Sequence, residues 1–342
     1  MILRILLTFC LLLAASGLRA DEIALNPEHP ETYVVVRGDT LWDIAGRFLQ
    51  KPWQWPQIWR ENPQIRNPHW IYPGDELRLT YVDGKPQLTV GRPSELRLSP
   101  QVRISPLEQA IPVIPMNAVR QFLTRPKVVG AGELESAPYV VDFAEEHIVG
   151  GAGDRIYARG LAEQAHDDGF MIFRPGAAYR DPDTREVLGY EALSVGDATL
   201  ERGGEIATLQ LTRTEREVII GDRLLPVEQE TMQMQYQPHA PDKLVEGHII
   251  SVVDGVSQIG QYQVIIIDRG YADGLETGHV LDIYRAGRTE RDIVSRQAAE
   301  TVDLPREKSG TLLVFKPYER VSFGLVMKAT RALHINDAVV TP

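Results

Sequence analysis

Apolar and polar positions follow a recognisable order from residue 33 onwards. The apolar run Tyr33–Val36 is typical of a short strand, and Gly38 follows it at a turn. Asp39 or Thr40 stands where the N-cap of a helix is expected. The next apolar residues recur three and four positions apart, as on one face of a helix: Leu41, Ile44, Ala45 and Phe48. This stretch therefore predicts a strand followed by a helix.

A second helix and a closing strand complete the unit. The residues from 55 to 61 favour a helix that tolerates a proline in its first turn, and Asn62-Pro63 ends it. Pro73-Gly74 then forms a turn before an alternating strand. We predict a β-α-α-β domain over 31–82.

Beyond residue 125 the pattern is that of β-strands. Apolar, β-branched runs bounded by glycines recur, and helical spacing is scarce. The predicted fold class is mainly β, with the small α+β domain at the N-terminus, a β-rich middle domain over 116–240 and a barrel-like module over 241–342. Strands are predicted at Tyr139–Phe143, Gly169–Phe173, Ile206–Thr212, Glu217–Ile220, His248–Val253, Gln261–Ile267, Val280–Tyr284, Gly310–Phe315 and Val321–Ala329.

Prolines recur between the N-terminal domain and the β-rich region, and long apolar runs are few in that stretch. Proline lacks the amide that a central strand needs, and it stiffens extended chain. We therefore expect residues 83–115 to be a proline-rich linker.

The β-rich region also contains a faint internal repeat. The segment 170–174 resembles 280–285, and the segment 209–226 resembles 325–342. A duplicated β unit would explain both similarities. Short strand-turn patterns also resemble one another by chance, so both explanations stay open.

The first twenty residues have the layout of an export signal. A basic start is followed by an apolar run that is too short to span a bilayer, and small residues precede Asp21. We predict a signal peptide over 1–20, with an uncleaved anchor helix as the alternative, and a mature protein in the periplasm. Cleavage would remove Cys10, the only cysteine, which leaves no thiol for a disulfide, a metal site or a nucleophile.

The charge is acidic and spread along the chain. The net charge is −11, and loss of Arg4 and Arg19 with the signal, with no acidic residue lost, makes it −13. Nucleic-acid binding needs a basic patch, and so does attraction to anionic lipid. We therefore expect no nucleic-acid partner, and contact with the outer membrane only through another protein.

No motif for catalysis emerges from the sequence. There is no His-Glu-x-x-His motif, and we expect no metal and no cofactor. The nearest titratable clusters, Glu145-Glu146-His147 and His166-Asp167-Asp168, lie beside polar residues and glycines that are typical of surface turns. We predict that the protein is not an enzyme. A cell-wall hydrolase of unrecognised type, using Glu145, Glu146 or Asp168, is an alternative.

Several separated elements of the N-terminal domain resemble a LysM domain in order and spacing. They are Gly38-Asp39-Thr40-Leu41, Ile44-Ala45, Asn62-Pro63-Gln64-Ile65 and Ile71-Tyr72-Pro73-Gly74 with Leu77. The resemblance implies binding of N-acetylglucosamine-containing glycans such as peptidoglycan, in a shallow groove between two loops. Carried over, the groove residues are Gly38, Asp39, Thr40 and Leu41 on one side and Asn62, Pro63, Gln64 and Ile65 on the other.

Some of these residues have a structural explanation as well. Asp39 and Thr40 serve first as helix caps, with sugar contact second. Trp53, Trp55 and Trp70 could stack on sugar rings, but a domain this small needs large apolar anchors, so packing in the core or at its rim is favoured.

The C-terminal part carries a looser resemblance. Its Gly-x-x-Asp-Gly-Leu-x-x-Gly connector between two strands, at 270–278, looks like the C-terminal module of the flagellar assembly protein T group, with Leu275 plugging the end of a small barrel. The whole layout resembles the type IV pilus secretin-associated proteins. That resemblance implies an adaptor that ties an outer-membrane secretin ring to peptidoglycan. A flagellar or other envelope scaffold with the same wall anchor is the alternative.

Overall fold

A computed structural model describes residues 23–59, 71–91, 111–115, 118–119, 127–130, 132–161, 169–227, 237–253, 258–285, 287, 289–291 and 301–342. The predicted signal peptide and the predicted groove residues Asn62, Pro63, Gln64 and Ile65 lie outside these ranges. The chain forms two compact units, of which the first ends at Ile114 and the second begins at Pro115. No helix among the described residues is long and apolar enough to cross a bilayer.

The first unit has the predicted β-α-α-β order. Its sheet is antiparallel, with β2 between β1 and β3. A single 3-10 turn, Pro52–Gln54, leads directly into the second helix. The elements are β1 (Thr32–Val34), α1 (Leu41–Phe48), α2 (Trp55–Trp59), β2 (Glu76–Val82) and β3 (Lys85–Gly91).

Aromatic side chains form much of the core of this unit. Trp42, Trp53, Trp55 and Trp59 are each no more than 5% exposed, and the rings of Trp42 and Trp53 stack with centroids 6.3 Å apart. Large rings supply much buried area per residue, which a small domain needs. The predicted core packing of Trp53 and Trp55 is therefore what the structure shows, and Trp70 lies outside the described residues.

The expected linker differs from the structure at both of its ends. Lys85–Gly91 forms β3, which pairs with β2 along its whole length through a tight turn at Asp83-Gly84. At the other end Ile111, Val113 and Ile114 are buried within the first unit. Pro86 suggested a linker because proline is unsuited to a central strand. It lies instead on the edge strand β3, where a missing amide costs no ladder hydrogen bond.

The second unit begins with a sheet that closes on itself. Because β8 pairs with β9 as well as with β7, six strands form a ring, and β4 adds to the outer side of β8. We call this ring the middle barrel. Its elements, after β4 (Lys127–Val129) and α3 (Glu133–Ser136), are β5 (Tyr139–Phe143), β6 (Arg155–Arg159), β7 (Gly169–Arg180), β8 (Val187–Arg202), β9 (Ile206–Thr214) and β10 (Arg223–Pro226).

A second closed barrel follows, which we call the C-terminal barrel. A two-stranded hairpin, β14 (Thr289–Arg291) with β15 (Thr301–Asp303), projects from the connection between two of its strands. The barrel strands are β11 (Glu246–Val252), β12 (Val264–Ile267), β13 (Val280–Tyr284), β16 (Lys308–Pro317), β17 (Ser322–Ala329) and β18 (Ala338–Val340). The strand predicted at Glu217–Ile220 is instead a single bridge at Val218 followed by a turn.

The two barrels share one topology. Numbered along the chain within each barrel, the strands lie in the ring order first, second, fifth, fourth, third, sixth, and every pairing is antiparallel. Such a ring leaves no open edge in the barrel wall. The identical connectivity supports the hypothesis of a duplicated unit.

Matching hydrogen bonds support the duplication residue by residue. Asp222 and Asp337 are both buried, and each accepts a hydrogen bond from the amide three residues earlier, on Ile219 and His334, at 2.9 Å. Val140 donates its amide to the carbonyl of Asp222, as Ile249 does to that of Asp337. The two aspartates and the turn amides that they accept fall in the repeated segments 209–226 and 325–342.

One glycine is shared for a steric reason. A Cβ on Gly196 would lie 2.4 Å from the carbonyl oxygen of Arg213, and a Cβ on Gly310 would lie 2.5 Å from that of Lys328. Both glycines occupy the fourth strand of their barrel, where the fifth strand crosses closely. Any side chain there would push the two strands apart.

The two barrels also contact each other. The hairpin of β7 and β8 carries Glu186 to the C-terminal barrel, where Arg320 donates from Nη1 at 2.6 Å and from Nη2 at 3.0 Å. These hydrogen bonds lower the pKa of the Glu186 carboxyl. Both side chains are exposed, so the pair fixes orientation more than it adds stability.

The predicted plug residue Leu275 is fully buried in the core of the C-terminal barrel. We expect Leu275→Ala to lower the free energy of unfolding of the second unit by about 2–5 kcal/mol, because it leaves a cavity at the barrel end. Chemical denaturation followed by circular dichroism measures the change. Leu244→Ala is the control, since Leu244 is 81% exposed, and it should stay within about 0.5 kcal/mol. Equal effects of both substitutions would contradict the plug assignment.

Candidate functional site

The turn between β1 and α1 forms one side of the predicted groove. Gly38 has a φ of +101° and is exposed, so it supplies a left-handed turn without a side chain. Asp39 closes the turn, because its Oδ2 accepts hydrogen bonds from the Tyr33 hydroxyl and from the Val36 amide, both at 2.9 Å. Burial and the hydrogen bond to Asp39 raise the pKa of Tyr33. The Asp39 carboxylate is thus a structural acceptor in this turn.

Thr40 is the N-cap of α1. Its Oγ1 accepts the Asp43 amide at 3.1 Å and donates to Asp43 Oδ2 at 2.7 Å, which is a capping arrangement. The Thr40 carbonyl also accepts the amide of Ile44. The predicted helix-cap role of this position is confirmed for Thr40, and its side chain is buried.

The first two amides of α1 have a different partner. The Leu41 amide donates to the carbonyl of Pro112 at 2.9 Å, and the Trp42 amide donates to that of Val113 at 3.2 Å. The same segment also pairs with the residue that precedes Tyr72, because the Ile111 amide donates to the carbonyl of Ile71 at 2.9 Å. We call residues 111–114 the strap. The sequence does not predict this packing, since no local pattern indicates where the residues after a proline-rich stretch will lie.

The second loop is anchored to β1 at its C-terminal end. Asp75 Oδ2 accepts the Tyr72 amide at 3.0 Å, and backbone hydrogen bonds join Val35 with Asp75 and with Gly74 at 2.9 and 2.8 Å. Gly74 has a φ of +96°, as the predicted proline-glycine turn requires. The end of this loop therefore has a fixed position beside the β1–α1 turn, although the predicted residues 62–65 fall outside the described ranges.

The second unit contains one group of possible metal ligands among its described residues. His239, Glu276 and His279 each offer one ligand atom within 4.8 Å of the others. However, His279 Nδ1 accepts the Glu276 amide at 3.0 Å, which makes Nε2 the protonated nitrogen of the neutral ring. The two imidazoles instead pack edge to face with centroids 4.6 Å apart. This arrangement fits a packed histidine pair better than a metal centre.

The structure describes one of the two titratable clusters that the sequence offers as candidates for catalysis. Glu145, Glu146 and His147 lie on an exposed loop, and the ring nitrogens of His147 are 3.6 Å from carboxylate oxygens of Glu145 and Asp154. This is the solvated loop that the sequence predicts. The second cluster, at residues 166–168, lies outside the described residues.

A shallow cavity of about 540 Å³ lies on the middle barrel, between Gly150-Gly151 and residues 214–219. One of its two arginines is already paired, because Arg174 donates to the buried Asp222 from Nε at 2.8 Å and from Nη2 at 2.9 Å. These hydrogen bonds raise the pKa of Arg174. The ion pair has a structural explanation, since Asp222 also holds the turn before β10.

The N-cap role of Thr40 generates a stability prediction. We expect Thr40→Ala to lower the free energy of unfolding of the first unit by about 1 kcal/mol, and Thr40→Ser to change it little, because serine keeps the acceptor. All five tryptophans lie between residues 42 and 70, so tryptophan fluorescence during urea denaturation reports this unit alone. An equal loss in both variants would show that the hydroxyl does not cap the helix.

The histidine pair generates a pH prediction. Burial lowers the pKa of His279 below its ordinary value of 6.5, His239 lowers it further, and Glu276 and Asp242 oppose the change. Since the folded state then binds fewer protons than the unfolded state, stability should fall as the pH drops below about 6.5. We expect the melting temperature of the second unit to fall less between pH 7.5 and 5.5 in His279→Asn than in the natural protein.

His147→Asn, which changes an exposed histidine, is the control for that experiment. It should follow the natural protein across the same pH range. Parallel curves for His279→Asn and the natural protein would contradict the role of His279.

Comparison with known proteins identifies one domain within the first unit. Residues 33–80 match the model of the LysM domain family. Over 60 residues the chain is 43% identical to the uncharacterized protein YqbP of Bacillus subtilis strain 168, a match that covers 15% of this chain and 27% of that protein. The similarity thus concerns one domain, and the chain matches well under two thirds of that relative's length. Residues 33–80 of this chain are a LysM domain.

Proposed function

We propose that the protein is an exported, non-enzymatic adaptor that holds peptidoglycan through its LysM domain and anchors an outer-membrane secretin complex to the cell wall. The proposal that the protein binds peptidoglycan rests on the LysM match at residues 33–80. LysM domains bind peptidoglycan, and they are binding domains rather than catalytic ones. The signal peptide predicted over 1–20 would direct the protein to the periplasm.

The groove that we propose lies between the two loops of the LysM domain. Gly38, Asp39, Thr40 and Leu41 would form one side, and Asn62, Pro63, Gln64 and Ile65 the other. The side chains of Asp39 and Thr40 already have internal partners, so backbone amides and carbonyls are the groups that would contact sugar. A neutral sugar with an acetamido group suits this chemistry, since amides pair with its carbonyl and a small apolar wall fits its methyl group.

The charged groups of the second unit support a non-catalytic role. Asp222, Asp268 and Asp282 are buried, and each accepts hydrogen bonds within its barrel. Burial raises the pKa of Asp268, and the His248 amide and Arg269 oppose that shift. Among the described residues, these acids serve turns and strand pairs rather than facing a shared cavity.

The partner that we propose for the C-terminal barrel is the secretin ring of type IV pili. A single shallow LysM groove binds weakly, but copies gathered on a ring would bind the wall together. Linked sites raise affinity by roughly 10²–10⁴ when their spacing allows simultaneous binding. The support is the layout of an export signal, one LysM domain and a distal barrel with a Gly-x-x-Asp-Gly-Leu-x-x-Gly connector.

Co-sedimentation with purified sacculi tests the wall-binding half. We expect the mature protein to pellet with sacculi and to be released by chitotetraose, which carries acetamido groups. Cellotetraose, which lacks them, is the matched control and should release little. A protein that lacks residues 23–114 but pellets equally well would contradict the assignment of binding to the LysM domain.

Two further measurements separate the remaining functions. Release of new reducing ends from sacculi, abolished by Glu145→Gln or Glu146→Gln, would replace the adaptor with a hydrolase. A pull-down from solubilised outer membrane, with the mature protein as bait and a protein lacking 241–342 as control, tests the partner. Recovery of flagellar ring proteins without secretin would contradict the pilus assignment and leave the wall anchor in place.

A further inference from the structure

We propose that two copies of this chain associate through one end of the middle barrel, where four exposed apolar residues flank a fixed turn. This apolar patch consists of Ile148, Val149, Ile219 and Ile220. The inference adds an oligomeric state to the proposed adaptor. It does not depend on glycan binding, because the patch lies in the second unit.

The patch flanks a single backbone bridge between two loops. Gly150 and Val218 exchange both of their backbone hydrogen bonds, at 2.8 and 2.9 Å, in antiparallel pairing. Two of the patch residues come next to this bridge, one on each segment, and the other two come one residue further. The pairing therefore brings residues from both segments together at one end of the barrel.

Hydrogen bonds fix the shape of this end of the barrel. The amide of Ile219 donates to the buried carboxylate of Asp222 at 2.9 Å, and the amide of Gly151 donates to Asp154 Oδ2 at 2.7 Å. Ordering of loops is one of the costs of association, and these two segments are already held. A preformed apolar surface of this kind suits a partner that is itself folded.

The exposure of the patch is not explained by the barrel core. Ile148 is 90% exposed and Ile220 is 58% exposed. Single apolar residues are common on protein surfaces, whereas a contiguous apolar group with a polar rim marks an interaction surface. The rim is supplied by the cavity described above, which adjoins the patch at Ile219 and is lined mostly by polar residues and glycines.

The C-terminal barrel shows that the shared fold does not require apolar residues at these positions. The bridge between Ile259 and Leu333 takes the same place in that barrel. Beside it stand Gln258 and His334, where the middle barrel has a valine and an isoleucine of the patch. The apolar character is therefore a property of the middle barrel alone.

The charges beside the patch favour a second copy of the chain as the partner. Of the four charged residues that line the cavity, two have ion-pair partners, at 2.8 and 3.2 Å. The other two, Arg216 and Glu217, are exposed and have no side-chain partner within the described part of the chain. When a patch faces itself across a two-fold axis, Arg216 of one copy can pair with Glu217 of the other. The patch and its rim are therefore complementary to themselves.

The size of the patch predicts a weak dimer. A standard interface buries about 800 Å² on each partner, which is more than four side chains can supply. The cavity lining and the rim charges would form the remainder. A dimer would carry two LysM domains, and two linked sites bind an extended polymer more tightly than one.

Sedimentation velocity of the mature protein tests this association. We expect the average mass to rise towards that of a dimer with increasing protein concentration. Ile148→Ser with Ile220→Ser should raise the dissociation constant at least about tenfold, because it removes the apolar centre of the interface. The matched control, Ile206→Ser with Ile335→Ser, changes two exposed isoleucines outside the patch and should keep the natural dissociation constant.

Exchange of the two rim charges tests the two-fold pairing. Arg216→Glu alone and Glu217→Arg alone should each weaken association at least about tenfold, because like charges then face each other. In an equimolar mixture of the two variants, each glutamate of one chain faces an arginine of the other. We therefore expect the mixture to form a heterodimer with close to the natural dissociation constant, a rescue that misfolded variants would not give.

The outcomes separate this inference from the proposed function. A natural protein that stays monomeric at every concentration overturns the dimer and leaves the patch to a different partner. Equal weakening by the patch variant and its control, or a mixture that does not regain association, also overturns it. Failure to bind sacculi by a protein that still dimerises overturns the wall anchor and leaves the dimer standing.

Discussion

The need of buried backbone amides for acceptors is the constraint on which both units depend. In the LysM domain it concerns the first turn of α1, where Thr40 satisfies two amides and the strap satisfies two more. In the second unit it concerns sheet edges, which closure into six-stranded rings removes from the barrel walls. The LysM domain thus meets the requirement with one side chain, one carbonyl of the cap residue and a short segment near its C-terminal end.

The barrels illustrate how one solution can be used twice. They share ring order, the buried aspartate that holds the turn before the last strand, and the glycine where the fourth and fifth strands cross. They differ in the connection between the third and fourth strands, which lies outside the barrel wall. The middle barrel extends β7 and β8 to reach Arg320, while the C-terminal barrel carries the hairpin of β14 and β15 at the corresponding connection. Partner recognition is more readily built on such differences than on the shared wall.

The LysM domain combines a tryptophan-rich core with turns that aspartate side chains close. Trp42, Trp53, Trp55 and Trp59 are buried, so these four rings offer no stacking surface to a ligand. Asp39 and Asp75 hold the turn between β1 and α1 and the turn before β2. In the groove that we propose, backbone groups would suit a neutral sugar, and several copies would bind an extended polymer together.

Much of the LysM domain could be predicted because its signals are local. The spacing of Leu41, Ile44 and Phe48, the cap at Thr40 and the Pro73-Gly74 turn each fix structure within a few residues. The same was true of β5 and β13, where compact apolar runs gave the strand ends directly. The internal repeat at 209–226 and 325–342 was also visible, since duplicated turns keep their aspartate.

The rest was decided by contacts between residues that are distant in sequence. Strand β8 was not predicted, because Gly189 and Gly196 interrupt its pattern, and its pairing with both β7 and β9 is what makes it a strand. For the same reason β3 was taken for linker, since it depends on β2. The strap is the extreme case. Nothing in the residues from 111 to 114 indicates which donors their carbonyls will meet, and only the folded domain presents the two helix amides that donate to them.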